Sequence, residues 1–179
     1  NEEIAKIAEK SGAEVPFIRP DYLSKDNIPT RPVINHAISE VEKLWGIPKY
    51  ICNIYSTAPF LLANDLCESF QMLINKNSEF VLSAASFAYP IQRGFLIDKK
   101  NNLKRINPEY RLTRSQDLQE AYHDAGQFCW GTYSSYLDNL DPISNIGCAY
   151  IIPRYRVHDI DTFEDWERAE KIYASLYKI

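Results

Sequence analysis

The stretch YICNIYSTAP, residues 50–59, is rich in residues that favour β-strands and is short enough to form a buried strand. A helical pattern follows it, beginning at Asn64 or Asp65, and the apolar stretch EFVLSAASF, residues 79–87, predicts a second strand. Strand and helix signals that alternate in this way favour parallel strands joined by crossover helices. Because ligands of such sheets bind beyond the carboxyl ends of the strands, we expect residues 56–59 on the ligand side.

Further helices and strands are predicted towards both ends of the chain from apolar spacing, breakers and caps. In chain order they are a helix over residues 2–10, a strand or extended sheet edge at 13–20, a helix from Thr30, a strand at 148–153 and a helix from about Thr162. Thr30 can cap its helix. Asp165 follows Thr162 by three residues, which is a capping-box arrangement.

The middle of the chain breaks the alternation. Residues 94–106, GFLIDKKNNLKRI, predict a β-hairpin with a polar Lys-Lys-Asn-Asn turn. Residues 107–131 have no clean period, and we interpret them as irregular. An irregular arm inserted into an α/β domain often makes a dimer contact or a lid, and we predict a dimer contact for an arm over residues 88–131. Residues 1–179 as a whole are interpreted as a single α/β domain that includes this arm.

The composition argues against several classes of function. The 179 residues are 45% apolar, which is enough for a hydrophobic core. The net charge of −4 gives no basic excess for binding nucleic acid or an anionic membrane. No apolar run approaches the roughly 20 residues of a membrane helix. The four cysteines are scattered without a metal-binding spacing. We interpret them as reduced thiols of a cytoplasmic protein, with disulfides as the alternative.

Two carboxylates, Asp159 and Asp161, lie one residue apart just before the last predicted helix. Alternate residues of an extended stretch point to the same side, so both acids can share one face. Two carboxylates on one face repel each other unless a cation lies between them or one is protonated, and oxygen ligands suit Mg²⁺ or Mn²⁺. Alternatively, Asp159 caps a turn, Asp161 lies in the first turn of the helix, and neither binds a ligand. The spacing alone leaves both interpretations open.

Four stretches of the sequence, taken together, point to a protein family more specifically than any one of them does alone. They are NEEIAKIAEKSGAEVPFIRP (1–20), YSTAPF (55–60), RSQDLQEAYHDAGQF (114–128) and VHDIDTFEDWERAE (157–170). In this order and spacing the chain resembles the acylneuraminate cytidylyltransferase family over essentially its whole length. Two runs depart from most of that family, because TAPF stands in place of Thr-Ser-Pro-Leu and Ala-Gly-Gln in place of Asn-Gly-Ala. Both departures resemble the pseudaminic acid branch of the family.

The resemblance implies a fold and an activity. The implied fold is a three-layer α/β/α domain with a mostly parallel, Rossmann-like sheet and a projecting β-hairpin arm that forms a homodimer. The implied reaction is the Mg²⁺- or Mn²⁺-dependent transfer of CMP from CTP to a nonulosonic acid, either pseudaminic acid or a sialic-acid-like sugar, with release of pyrophosphate. The expected partners are CTP and the sugar, with neither nucleic acid nor a membrane among them.

The resemblance also assigns residues to the site. Asp159 and Asp161 match the metal-binding acid pair of the family, and Arg114 is expected to meet an anionic group of the sugar or the triphosphate. These three are the expected catalytic residues. The residues expected to bind substrate are Tyr55, Thr57, Gln116, Gly126, Gln127 and Phe128.

Alternatives remain for two of these residues and for the chain as a whole. Arg114 could form a surface ion pair with Asp117 or Glu120, and Gln116 could make a hydrogen bond within the arm. The chain could also be a metal-dependent glycosyltransferase that uses the Asp-x-Asp pair, although those enzymes usually carry it after a strand in mid-domain. A third possibility is a non-catalytic remnant that dimerises through its arm.

One part of the family pattern has no counterpart in this sequence. Members of the family normally open with a strand and a Gly-rich basic loop that cradles the CTP phosphates. We therefore expect the chain to be the N-terminally truncated part of a longer protein, with little activity by itself.

Overall fold

The computed structural model describes residues 1–177, so the last two residues of the predicted domain, 178 and 179, lie outside it. In chain order its helices and strands are α1 (Glu2–Lys10), α2 (Thr30–Trp45), β1 (Tyr50–Ile54), α3 (Ala63–Lys76), β2 (Phe80–Ser86), β3 (Phe95–Ile97), β4 (Leu103–Arg105), β5 (Tyr122–Thr132), α4 (Tyr133–Leu137), β6 (Gly147–Ile151) and α5 (Phe163–Tyr177). Short 3₁₀ turns occupy several of the connections.

The strands form two sheets. Four of them make one mixed sheet in the order β1-β5-β2-β6, whereas β3 and β4 pair only with each other, antiparallel, as the predicted hairpin. The α/β class and the hairpin are therefore confirmed, and the mixed sheet is consistent with the Rossmann-like arrangement that we expected. Within residues 1–177, none of the helices has the length and apolar content that a membrane span requires.

The main difference from the sequence prediction is β5, which at 11 residues is the longest strand of the described chain and lies where we predicted irregular structure. The reason is Gly126, whose φ of +63° places it in the left-handed region within the strand. The alternation of buried and exposed residues shifts there, so that Gln127 and Phe128 are both buried although they are neighbours. A strand with that interruption has no period of two that sequence analysis can recognise.

Two smaller predictions at the ends of elements were also wrong. Residues 13–20 join no sheet. Thr30 is the first residue of α2 and not its cap, since Pro29 holds the capping position. The capping box of α5 is confirmed, because the Thr162 N–H donates to Asp165 Oδ2 at 2.9 Å and the Asp165 N–H donates to Thr162 Oγ1 at 3.2 Å.

Contacts within the chain divide it into two compact units. The first comprises Asn1–Asn53, Phe70–Val81 and Cys129–Cys148, and the second comprises Ile54–Ser69, Leu82–Phe128 and the described residues from Ala149 onward. The residues that the sequence assigned to the site all lie in the second unit, so that unit is described in more detail below.

The first unit is built around the buried residues Ile38, Phe80 and Tyr136. The rings of Phe80 and Tyr136 meet edge to face with their centroids 5.4 Å apart. The Tyr136 hydroxyl donates to the Cys129 carbonyl at 2.8 Å, which satisfies its only polar group inside the core. The Arg31 guanidinium lies over the Tyr136 ring, 5.1 Å from its centroid, and donates to the Tyr136 carbonyl at 3.2 Å.

The second unit has its own buried side chains. Phe60, Phe128, Ile152 and Ala169 are among its buried apolar side chains. Ser83 of β2 is fully buried, and its hydroxyl oxygen accepts from the N–H groups of Gln127 and Phe128 at 3.2 and 3.1 Å. These two hydrogen bonds hold β5 directly after Gly126, so the conformation of the strand is determined at the position where the resemblance places the sugar.

Candidate functional site

The loop after β1 and the middle of β5 are joined through their main chains. The Tyr55 N–H donates to the Gln127 carbonyl at 2.9 Å, and the Tyr55 carbonyl accepts from the Ala58 N–H at 3.3 Å. Tyr55 and Thr57 are half-buried. The structure therefore brings together two groups of predicted substrate residues, one from residues 55–57 and one from residues 126–128.

Gly126 is required at its position by the backbone. Its φ of +63° is costly for any residue with a Cβ, and its N–H donates to Asp124 Oδ1 at 2.8 Å. No atom lies within 4 Å of the position that a Cβ would occupy, so the requirement comes from the backbone conformation and not from crowding. The glycine turns the strand so that the Gln127 side chain is 1% exposed.

The Gln127 side chain is held by one of its two ends. Its Nε2 donates to the Arg156 carbonyl at 2.7 Å. Its Oε1 is buried and has no hydrogen-bond partner among residues 1–177. A buried amide oxygen without a donor is uncommon in folded proteins, so this atom is a candidate acceptor for a ligand.

Beside Gln127 lies a buried ion pair that the sequence analysis did not identify. Arg156 donates through its two terminal nitrogens to the two carboxylate oxygens of Asp65, at 2.5 and 3.0 Å. Their side chains are 11% and 5% exposed, so the pair is shielded from water. This bidentate contact raises the pKa of Arg156 above its usual range. The pair is the most buried charged contact of the described chain.

Asp65 and its neighbour Glu68 also receive Tyr150 of β6. The Tyr150 hydroxyl donates to Glu68 Oε2 at 2.6 Å, and it lies 3.5 Å from Asp65 Oδ1. Burial, together with the hydrogen bond to Glu68, raises the pKa of Tyr150, so the phenol stays protonated as a donor. Sequence spacing gave no indication of this cluster, because its acids and its partners come from distant parts of the chain.

Arg114 and Gln116 lie in a separate turn. The Arg114 guanidinium contacts both carboxylate oxygens of Asp117, at 2.7 and 3.0 Å, which is the ion pair that the sequence left open as an alternative. The two side chains are 71% and 44% exposed, so the pair is weak. Gln116 is exposed and lines a shallow pocket between residues 87–90 and 115–121. Neither contact tests the predicted anion-binding role, which stays a prediction.

Asp159 and Asp161 are both exposed, in the segment that precedes α5. Ile160, between them, is half-buried and lines an apolar cavity of about 320 Å³ with Pro59, Trp166 and Tyr173. Asp159 Oδ1 accepts from the Ile160 N–H at 3.1 Å. Exposed acids on either side of a half-buried Ile160 are consistent with the alternation of an extended segment.

Asp165, which follows the acid pair in α5, is committed to the helix cap. Its Oδ2 accepts from the Asp161 N–H, the Thr162 N–H and the Thr162 hydroxyl at 3.3, 2.9 and 2.7 Å. The Thr162 contacts lower the pKa of Asp165. Within residues 1–177 no group of three or more potential ligands is arranged to hold a metal ion. The predicted metal-binding role of Asp159 and Asp161 therefore stays a prediction.

These observations define the class of the protein as an α/β protein with a mixed sheet. In its second unit, a buried glutamine, a half-buried tyrosine and an exposed acid pair belong to neighbouring segments. No protein-family model matches the chain.

Individual relatives match the chain clearly. It is 36% identical over 173 residues to the pseudaminic acid cytidylyltransferases of two strains of Campylobacter jejuni, which is 97% of this chain and 75% of each relative. It is 26% identical over 162 residues to a Helicobacter pylori protein described as pseudaminic acid cytidylyltransferase and UDP-2,4-diacetamido-2,4,6-trideoxy-beta-L-altropyranose hydrolase, which is 90% of this chain and 31% of that protein. The chain belongs to the pseudaminic acid cytidylyltransferase family, which confirms the resemblance seen in the sequence.

Proposed function

We propose that the protein is a cytidylyltransferase that transfers CMP from CTP to a nonulosonic acid, with pseudaminic acid as the preferred sugar and pyrophosphate as the second product. The observation that carries the proposal is the 36% identity to the Campylobacter jejuni pseudaminic acid cytidylyltransferases over 97% of the chain. The predicted substrate residues Tyr55 and Gln127 are also hydrogen-bonded neighbours, as a shared site requires.

Gln127 and Tyr55 are proposed to contact the sugar. Gln127 Nε2 already donates to the Arg156 carbonyl, and the buried Oε1, which has no partner among residues 1–177, is the acceptor proposed to meet the sugar. A hydroxyl or amide N–H of the sugar would supply the missing donor. Binding of a sugar that lacks this donor would leave a buried acceptor unpaired, which discriminates strongly between substrates.

Arg114 is proposed to bind the carboxylate of the sugar or a phosphate of CTP. Its present partner, Asp117, contributes little because both side chains are exposed to solvent. Exchange of that partner for a substrate anion therefore costs little free energy. The planar guanidinium offers two parallel N–H donors to either a carboxylate or a phosphate.

Asp159 and Asp161 are proposed to hold Mg²⁺ or Mn²⁺. Their exposure leaves both carboxylates accessible to an ion that also contacts the nucleotide. Such an ion, when bound, neutralises charge on the phosphate oxygens. The residues of this chain contribute the acid pair and the rigid helix cap directly behind it.

The proposed reaction is tested with the full-length protein by measuring CMP-sugar formation and pyrophosphate release from CTP and pseudaminic acid, with UDP- and GDP-sugars as alternative donors. Asp161→Asn should lower turnover about 100-fold or more, because it weakens the hold on the ion. Asp138→Asn, which changes an exposed acid outside the predicted site, is the matched control and should leave turnover unchanged. Turnover near wild type in Asp161→Asn would disprove the metal role, and absence of any CMP-sugar from the wild-type protein would disprove the function.

We also infer that the hairpin formed by β3 and β4 joins two copies of this chain. Its register places Ile97 opposite Leu103, and Phe95 lies on the same face as Ile97. All three side chains are more than half exposed. A two-stranded hairpin is only marginally stable alone in water, so an apolar face of this kind is expected to be covered.

The homodimer is tested by sedimentation of variants on either face of the hairpin. Ile97→Lys places a charge on the apolar face and should give monomers. Lys104→Glu lies on the opposite face, paired with Leu96, and should leave the dimer intact. A wild-type monomer, or a dimer that survives the Ile97 substitution, would contradict the inference.

A further inference from the structure

The buried pair of Asp65 and Arg156 has more contacts than an ion pair needs. Asp65 Oδ2 also accepts from the Leu62 N–H at 3.2 Å, which ties the start of α3 to the same carboxylate. The Arg156 guanidinium also lies 3.4 Å from the Phe60 carbonyl. The pair therefore links residues 60–65, which follow the predicted substrate segment 55–57, to the segment that leads into the acid pair.

Arg156 carries a second contact through its main chain. Its carbonyl accepts from Gln127 Nε2 at 2.7 Å. The other end of the same amide, Oε1, is the atom without a partner among residues 1–177. The guanidinium of the same residue is held bidentately by a buried carboxylate, which restricts where the Arg156 main chain can lie. The side chain of one residue is thus anchored at Asp65 while its main chain orients Gln127.

We propose that Asp65 and Arg156 are positioning residues, which act through Gln127 to set the orientation of its Oε1 acceptor for a donor group of the sugar. This inference rests on the proposed function, and it adds two residues that the family resemblance did not assign to the site. Apolar residues of similar volume are often as stable as a buried ion pair, so stability by itself does not require this pair. Its geometry, in contrast, cannot be reproduced by apolar side chains.

The proposal predicts an effect on one substrate and not on the other. Gln127 faces the sugar in the proposed site, whereas the cytidine triphosphate is bound by other groups. Loss of the pair should therefore raise KM for the sugar about 10- to 100-fold, the range expected when a contact group moves by up to 1 Å, and change KM for CTP by less than about twofold. A purely structural role would lower the active fraction and leave both KM values alike.

The test uses the full-length protein with both charges removed, Asp65→Asn combined with Arg156→Met. The side-chain oxygen of the introduced asparagine can still accept from the Leu62 N–H, and no unpaired buried charge remains. The control is Glu40→Gln combined with Lys43→Met, which removes a less buried pair of the same net charge, with side chains 28% and 64% exposed. In each protein the two KM values are measured, and hydrogen exchange of the Gln127 side-chain amide is followed by NMR.

The proposal is supported if the double variant is folded, exchanges the Gln127 amide at least about tenfold faster than wild type and shows the selective rise in KM for the sugar. It is overturned if a folded double variant keeps the wild-type KM for the sugar or the wild-type amide exchange. If the double variant does not fold, Arg156→Lys decides by the same criteria, because it keeps the charge but not the planar fork. If the wild-type protein forms no CMP-sugar, the proposed function fails, and amide exchange alone decides whether the pair orients Gln127.

Discussion

Replacement of Asp65 by alanine should destabilise the protein more than any other single loss of charge in the described chain. The Asp65 and Arg156 side chains are 5% and 11% exposed, so the substitution leaves a guanidinium buried without its partner. Truncation of one member of a buried pair costs about 3–5 kcal/mol of the free energy of unfolding. The Leu62 N–H loses its carboxylate acceptor as well, which places the expected cost in the upper part of that range.

The measurement is urea unfolding followed by circular dichroism. At an m-value of about 2 kcal/mol/M, a cost of about 4 kcal/mol lowers the midpoint by about 2 M. Asp117→Ala is the matched control, because it removes an acid from an ion pair with 71% and 44% exposed side chains. It should cost less than about 1 kcal/mol and move the midpoint by less than about 0.5 M.

Salt provides a second criterion. Added NaCl screens charges in water but acts weakly on buried ones, so it should reduce the effect of Asp117→Ala and leave that of Asp65→Ala nearly unchanged. Equal midpoints for the two variants, or a midpoint of Asp65→Ala within about 0.5 M of wild type, would refute the argument that burial makes the Asp65 pair important.

Three further predictions concern stability. Gly126→Ala should lower the free energy of unfolding by about 1–2 kcal/mol, because the glycine has a φ of +63°. Gly131→Ala should destabilise the fold through overpacking, because an added Cβ would lie 2.7 Å from buried aromatic rings. Urea unfolding and a crystal structure of each variant separate the two causes. Hydrogen bonds from Ser135 and Thr132 hold the pKa of Glu79 below its usual range. Ionised Glu79 therefore stabilises the fold above the unfolded-state pKa of about 4.3, and this stabilisation is lost as the pH falls through the lower folded-state pKa. Between pH 7 and pH 3, urea midpoints should decline less in Glu79→Gln than in wild type. Thr162→Val removes the hydroxyl of the α5 cap and should cost about 1 kcal/mol, and an unchanged thermal midpoint would show that the capping box is dispensable.

The sequence predicted those parts of the fold that depend on residues close together in the chain. Strands β1, β2 and β6, the hairpin and the capping box of α5 all follow from apolar patterning or from groups a few residues apart. The Arg114 pair was anticipated for the same reason, because its partner is three residues away. Strand β5 was not predicted, since the left-handed Gly126 interrupts the pattern that identifies a strand.

The candidate site likewise has features that short motifs indicate and features that depend on the folded structure. Short motifs identified the acid pair, the segment 55–57 and the Ala-Gly-Gln run, and the relatives confirmed the family to which those motifs belong. Nothing in the motifs indicated that Gln127 is buried with one end satisfied and one end free. That property depends on which carbonyl lies beside it in three dimensions.

The amino-acid sequence by itself determined the α/β class, the order of most elements, the hairpin and the family. These features depend on patterning, caps and motifs, which involve residues close together in the sequence. Tertiary structure alone decided which polar groups lose contact with water. Asp65 and Arg156 stand 91 positions apart, and only folding makes one the buried partner of the other. Burial is a property of the packed chain as a whole, so the residues it makes important cannot be recognised from their neighbours in sequence.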